Sequence, residues 1–200
     1  MTIKSLLQPF DVSSEQNRLH YVISKMLSQA NFIELVVIIS VDSNAETVTI
    51  KPLSKSVDGS GTSREAEEVY DIPYFRLQMG TSAVIMDPSV GDIGLMLVCD
   101  ENIHNIKESK VASVPANGHR HSRADGIYLG GIGLLNATPT EYIKFTGSGI
   151  KIVGDVDITG AVTTSSTITA AGEITGNGIK LSTHTHSGVE TGSGSTGEPQ

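Results

Sequence analysis

The chain of 200 residues has no tryptophan and one cysteine, and only 4% of it is aromatic. So few large aromatic side chains exclude a large self-contained core. With Cys99 alone, no disulfide can form within the chain. Its place in the apolar run GLMLVC marks it as a small buried hydrophobe rather than a reactive thiol. No apolar run approaches the roughly 18 residues of a membrane-spanning helix. The opening MTIKSLLQPF lacks the apolar length and small-residue cleavage site of a secretory signal. Positive charge is also scarce: 14 Lys and Arg stand against 22 Asp and Glu, for a net charge of −8. That balance argues against holding nucleic acid or an anionic membrane by charge, and suits a soluble assembly. A glycine-rich phosphate loop, zinc-ligand spacing and a glycosidase-like carboxylate pair are all missing.

Glycine is plentiful, at 21 residues, and from residue 148 small residues recur with a period of six. One position runs Ser148, Gly154, Gly160, Ser166, Gly172, Gly178, and two places later come Ile150, Val156, Val162, Ile168, Ile174. A second row, Ile152, Ile158, Thr164, Ala170, Gly176, shrinks along the chain. Small residues at fixed intervals mark corners, and β-branched residues between them mark short strands. So short a repeat belongs to a solenoid. About two apolar residues per hexad cannot wrap a core in one chain. Three chains about one axis can, and their pairing also removes exposed edges. A disordered linker has no need of five β-branched residues in phase, and a single-chain β-helix needs longer coils. The shrinking row predicts a taper, and Ile179 and Leu181 fall out of phase, so the strand must re-register before the end.

Beyond the ladder lies STHTHSGVETGSGSTGEPQ, with His184 and His186 two residues apart. On an extended strand both project from one face. Three copies on a three-fold axis would supply six imidazoles, an octahedral set that disfavours zinc and suits a six-coordinate ion such as iron. Glu190 could balance charge there without being a ligand. Ligation recruits neutral imidazoles, so the site is expected to weaken as pH falls through the histidine range.

Upstream, residues 13–29 read as a helix, capped by Ser13 or Ser14, with Gln16 as a capping-box partner of Ser13. Leu19, Val22, Ile23, Met26 and Leu27 make one apolar stripe, expected to pack on a neighbouring domain or chain. Strands are predicted at 32–41, 45–53, 67–79, 82–88, 91–100 and 127–135, separated by turn residues, and EYIKF (141–145) leads into the hexads. That pattern suggests a small antiparallel barrel such as an OB-fold, without the basic and aromatic residues of a nucleic-acid binder. Residues 101–125 read as a polar link holding NGHRHSRADG. Arg120 and Arg123 flank its His119 and His121, which disfavours a cation. A metal-dependent hydrolase using His119, His121 and Asp125 is the rival reading, and it lacks a nucleophile in a recognisable setting. A receptor-binding fibre tip is a second rival, but the tip offers no aromatic surface.

The barrel pattern, HRHSRADGIYLGGI, the hexads and the terminal HTHSG together resemble the central spike, or tail-tip, proteins of contractile phage tail baseplates, of the Mu and phi92 short-spike kind. The resemblance spans nearly the whole chain. It implies a mainly β protein: an N-terminal OB-fold-like barrel with a preceding helix, then a trimeric intertwined β-helix ending in a metal-bound apex. It implies a division into a helical segment (1–30), the barrel and its extension (31–135), the β-helix (136–181) and the apex (182–200). The family's His-x-His falls on His184 and His186, which implies one iron ion per trimer with six histidine ligands; further apex ions occur in the family, and no residue here places them. The function implied is structural and non-enzymatic: to pierce the host outer membrane during tail contraction, without embedding in it. The implied partners are two further copies of the chain and the baseplate hub and tail proteins, with no nucleic acid. The implied location is the tail tip of the virion, after assembly in the host cytoplasm. No lysozyme-like portion is present, so a spike without a muramidase is expected.

Overall fold

A computed structural model describes residues 13–57, 60–185, 188 and 192–193. The fold is mainly β and divides into two compact units, Met1–Thr140 and Glu141–Gln200.

The first unit begins with helix α1 (Glu15–Leu27). Ser14 is the cap: its backbone is extended and its hydroxyl accepts from Asn17 N–H at 3.1 Å. This puts Asn17 rather than Gln16 at the third helical position, where its amide donates to Ser13 Oγ at 2.8 Å. The anticipated capping box is therefore replaced by an asparagine bridge. The helix buries none of its residues, and the apolar stripe lies exposed.

Nine short strands follow: β1 (Ile33–Asp42), β2 (Thr47–Pro52), β3 (Ser56–Val57), β4 (Ser63–Arg64), β5 (Val69–Pro73), β6 (Leu77–Met79), β7 (Ser82–Val84), β8 (Ile93–Val98) and β9 (Gly126–Gly131). Five form one antiparallel sheet in the order β5-β2-β1-β8-β9. The sheet curls into a half-barrel, and its edge strands approach one another. Tyr74 and Tyr128 form a parallel bridge, with Phe75 N–H donating to Tyr128 O at 2.7 Å. Alternation decides what faces inward. Val36 and Ile38 of β1, Val48 and Ile50 of β2, Ile72, Met96, Val98 and Tyr128 make a small core with Tyr74. The β1–β2 turn is held by Asp42 Oδ1, which accepts from Asn44 and Ala45 N–H at 3.0 and 2.9 Å.

Two segments differ from the expectation. The run 67–79 is not one strand: Asp71 takes a left-handed backbone (φ 57°), and the chain crosses to β9 at Tyr74 before β6 begins. The polar link at 101–125 contains helix α2 (His104–Ser109) and a 3-10 turn at Arg123–Asp125. Six residues with one large apolar side chain carry no detectable helical period, so α2 is silent in the sequence.

The second unit opens with an antiparallel hairpin of β10 (Tyr142–Phe145) and β11 (Ile150–Val153). Its turn is closed by Thr146 N–H on Gly149 O at 2.9 Å, with Gly147 at φ 84°. Residues 154–174 form no strand within the single chain. Their apolar rows face solvent: Val156, Ile158, Val162 and Ile168 are 57–65% exposed. A second hairpin joins β12 (Thr175–Gly176) to β13 (Ile179–Lys180) through Asn177 (φ 48°) and Gly178 (φ 78°). Two consecutive positive φ values are the signature of the tight Asn-Gly hairpin turn. The hexad phase slips here because the chain reverses. Among the described residues, no helix is long and apolar enough to cross a membrane.

Candidate functional site at the chain tip

Past β13, three contacts organise the approach to the histidines. Leu181 N–H donates to Ile174 O at 2.9 Å, one rung beyond the last strand pair. Ser182 N–H donates to Glu173 Oε1 at 3.1 Å, and Ser182 Oγ donates to Glu173 Oε2. These hydrogen bonds favour the charged carboxylate and hold Glu173 below the usual range. His184 then reaches back, its Nδ1 lying 2.7 Å from Leu181 O. A carbonyl can only accept, so Nδ1 carries the proton and the lone pair of the neutral ring resides on Nε2. The ring is exposed. His186 and Glu190 lie outside the described residues. Among the described residues, no three His, Cys, Asp or Glu side chains gather to hold a metal.

The rival trio is not assembled. His119 is exposed, and its backbone N–H donates to Asn117 Oδ1 at 2.9 Å. His121 adopts a left-handed backbone (φ 51°) and tilts its ring onto Phe32, with centroids 4.6 Å apart; its Nδ1 is 3.7 Å from Asp100 Oδ1. Asp125 is buried, and its Oδ1 accepts from Asn102 Nδ2 at 2.9 Å and Ile103 N–H at 3.0 Å. Arg123 ties the loop to β1 of the sheet, and Arg120 ties it to the start of the same link. Arg123 forks onto Glu34 through Nε (2.7 Å) and a terminal nitrogen (2.6 Å), and Arg120 pairs with Glu101 at 2.5 Å. The Glu34 fork raises the Arg123 guanidinium further above its usual value, against a smaller opposing effect of burial. Glu34 lies 89 residues away in sequence, which hid this role from the sequence reading. The segment is architecture.

A cavity of about 450 Å³ lies between the β6–β7 hairpin and β9, walled mainly by Phe75, Leu77, Val84, Met86 and Leu129. Of its polar lining, Arg76 pairs with Glu46 at 2.7 Å, and Asp87 Oδ1 accepts from Tyr74 Oη at 2.8 Å. No nucleophile and base meet there.

Residues 178–200 match the family model described as the GpV apex motif. The matched span opens at the Asn177-Gly178 turn and contains both histidines. The motif indicates the tip of a phage baseplate spike. Its family is structural rather than enzymatic, and it implies a tail component of a phage virion. No curated protein sequence matches the chain.

Proposed function

We propose that the chain is the central spike of a contractile phage tail baseplate, a homotrimer that pierces the host outer membrane as the tail contracts. The carrying observation is the apex motif at 178–200 directly after a ladder of β-branched residues that one chain leaves exposed. Apolar rows 43–65% exposed in the single chain favour burial against one another. Three copies about one axis would give Val156, Val162 and Ile168 a shared interior. The first unit reads as an OB-fold-like barrel, supported by the strand order and by the edge-to-edge bridge at Tyr74 and Tyr128. It would seat the trimer in the baseplate hub.

His184 and His186 of each chain would hold one iron per trimer. The fit is supported by His184, whose Nδ1 faces a backbone carbonyl, the arrangement typical of metal-bound imidazoles. When bound, the ion ties three chain ends into one point and stops them fraying under load. A fibre whose backbone hydrogen bonds join three chains resists bending, and rigidity is what piercing requires.

The deciding experiment is mass in solution together with elemental analysis of the purified protein. The reading expects three times the 21.1 kDa of one chain and one iron per three chains. A monomer at micromolar concentration would sink the trimer, and three metals per trimer would sink the shared site.

A further inference from the structure

We infer that Glu173 is a positioning residue for the tip: by gripping Ser182 through both carboxylate oxygens, it fixes the Leu181 carbonyl that selects the His184 tautomer. This rests on the proposed metal site and adds to it the device that orients the ligand before metal arrives.

The hairpin pairs Thr175 with Lys180 and Gly176 with Ile179, and Leu181 N–H adds one more rung on Ile174 O. Backbone pairing then stops. At the next position, where an antiparallel pair carries no backbone rung, Ser182 N–H is taken by the side chain of Glu173. The same carboxylate takes the Ser182 hydroxyl, so one residue holds the exit of the hairpin through two hydrogen bonds. Both bonds have an ionised acceptor, the stronger class of hydrogen bond.

The consequence falls on His184. Its ring reaches back three residues to Leu181 O, the carbonyl between the Ile174 rung and the Glu173 grip. A carbonyl held on both sides is a fixed target. A neutral imidazole in water favours the proton on Nε2, which is the wrong tautomer for ligation through that atom. Donation to Leu181 O reverses the preference and puts the lone pair of the neutral ring on Nε2, the atom through which the proposed metal would be ligated. In a site shared by several chains, every ring must offer the same nitrogen, so preselection acts once per chain.

The test uses the full chain, stripped of metal and then titrated anaerobically with ferrous iron against a competing chelator. Glu173→Ala, Ser182→Ala and Glu173→Gln are compared with wild type by ring nitrogen NMR of His184, iron affinity and mass in solution. Wild-type His184 is expected to carry its proton on Nδ1 in the metal-free protein. Glu173→Ala should shift it towards Nε2 and lower iron affinity about 10- to 100-fold with the oligomer unchanged. Ser182→Ala removes the hydroxyl alone and should fall between. Glu173→Gln keeps an oxygen for Ser182 N–H and should restore most of the affinity. An unchanged tautomer in Glu173→Ala, or a wild-type ring protonated on Nε2, overturns the inference. If wild type takes up no iron, the metal reading falls, and the tautomer comparison still decides the role of Glu173.

Discussion

Tyr128 shows how much one side chain carries in so small a core. It is buried on β9, its backbone joins the two edges of the sheet, and its hydroxyl has no hydrogen-bond partner. Burial first, and the nearby Asp92 charge second, push its pKa up to about 12. The fold therefore holds the Tyr128 proton more tightly than the unfolded chain, where tyrosine ionises near its ordinary value of about 10. The stabilisation is intact below that value and is lost as pH rises from about 10 to about 12. Tyr128→Phe removes an unpaired buried hydroxyl, so its stability at neutral pH is expected to equal wild type or exceed it by about 1 kcal/mol. Its stability should also fall less steeply above about pH 10. Urea unfolding of both proteins at neutral and alkaline pH checks the pair, and a Phe variant with an undiminished alkaline loss would reassign the titration to another group. Asp125 is the counterpart whose place in the fold the sequence does not show. Six residues after His119 it entered only the disfavoured hydrolase reading, and the fold makes it a brace for Asn102 and Ile103. Adjacency in sequence is legible; depth below the surface is not. Asp125→Ala is expected to cost about 1–3 kcal/mol by orphaning the Ile103 N–H. His119→Ala on the exposed loop should stay within about 0.5 kcal/mol.

Elements were legible where periodicity was long enough to register. The 3.6-residue stripe of α1 and the alternation in β1, β2 and β8 each run for a dozen or at least half a dozen residues, and the structure places them within a few residues of expectation. The six-residue α2 and the break at Asp71 lie below that threshold, because a single left-handed residue leaves no periodic trace. The turn at Asn177 and Gly178 was visible only as a lost hexad phase, although Asn-Gly is itself a hairpin signal. Gly178→Ala places a Cβ on a left-handed backbone, costing about 1–2 kcal/mol. It should loosen the β12–β13 hairpin, readable as faster amide exchange at Leu181. The ladder makes a stronger demand. Val162 is 64% exposed in the single chain, so Val162→Asp alone is expected to leave the isolated chain's local structure untouched. Within the proposed trimer the same change gathers three carboxylates on the axis, where burying unpaired charge costs several kcal/mol each. Sedimentation should show the variant falling to monomer while Thr163→Asp, off the apolar rows, stays assembled. Equal assembly of the two variants would place Val162 outside any shared interior.

At the scale of the whole molecule, the half-barrel and the tip have separate sources of order. Every residue of the buried core lies between Val36 and Tyr128, inside the first unit. The second unit contributes no buried large apolar residue to a core of its own among the described residues, and its apolar rows are exposed. In the sequence the corresponding signal is the six-residue period that begins at residue 148. The proposed use of the rows rests on symmetry, because one chain does not contain their proposed partners. A chain ending at Thr140 therefore keeps every core contact and loses only the ladder and tip. It is expected to unfold cooperatively in urea with a β-type circular dichroism spectrum, and to associate weakly through what the first unit still exposes, including the α1 stripe. The reciprocal change, alanine at both His184 and His186 in the full chain, should abolish iron uptake and leave the trimer mass intact, since the ladder is unaltered. The two results together assign assembly to 141–181 and metal to the tip. An unfolded 1–140 fragment would make barrel and fibre one cooperative unit, and a trimer that dissociates on losing only its histidines would move the assembly energy from the ladder to the metal.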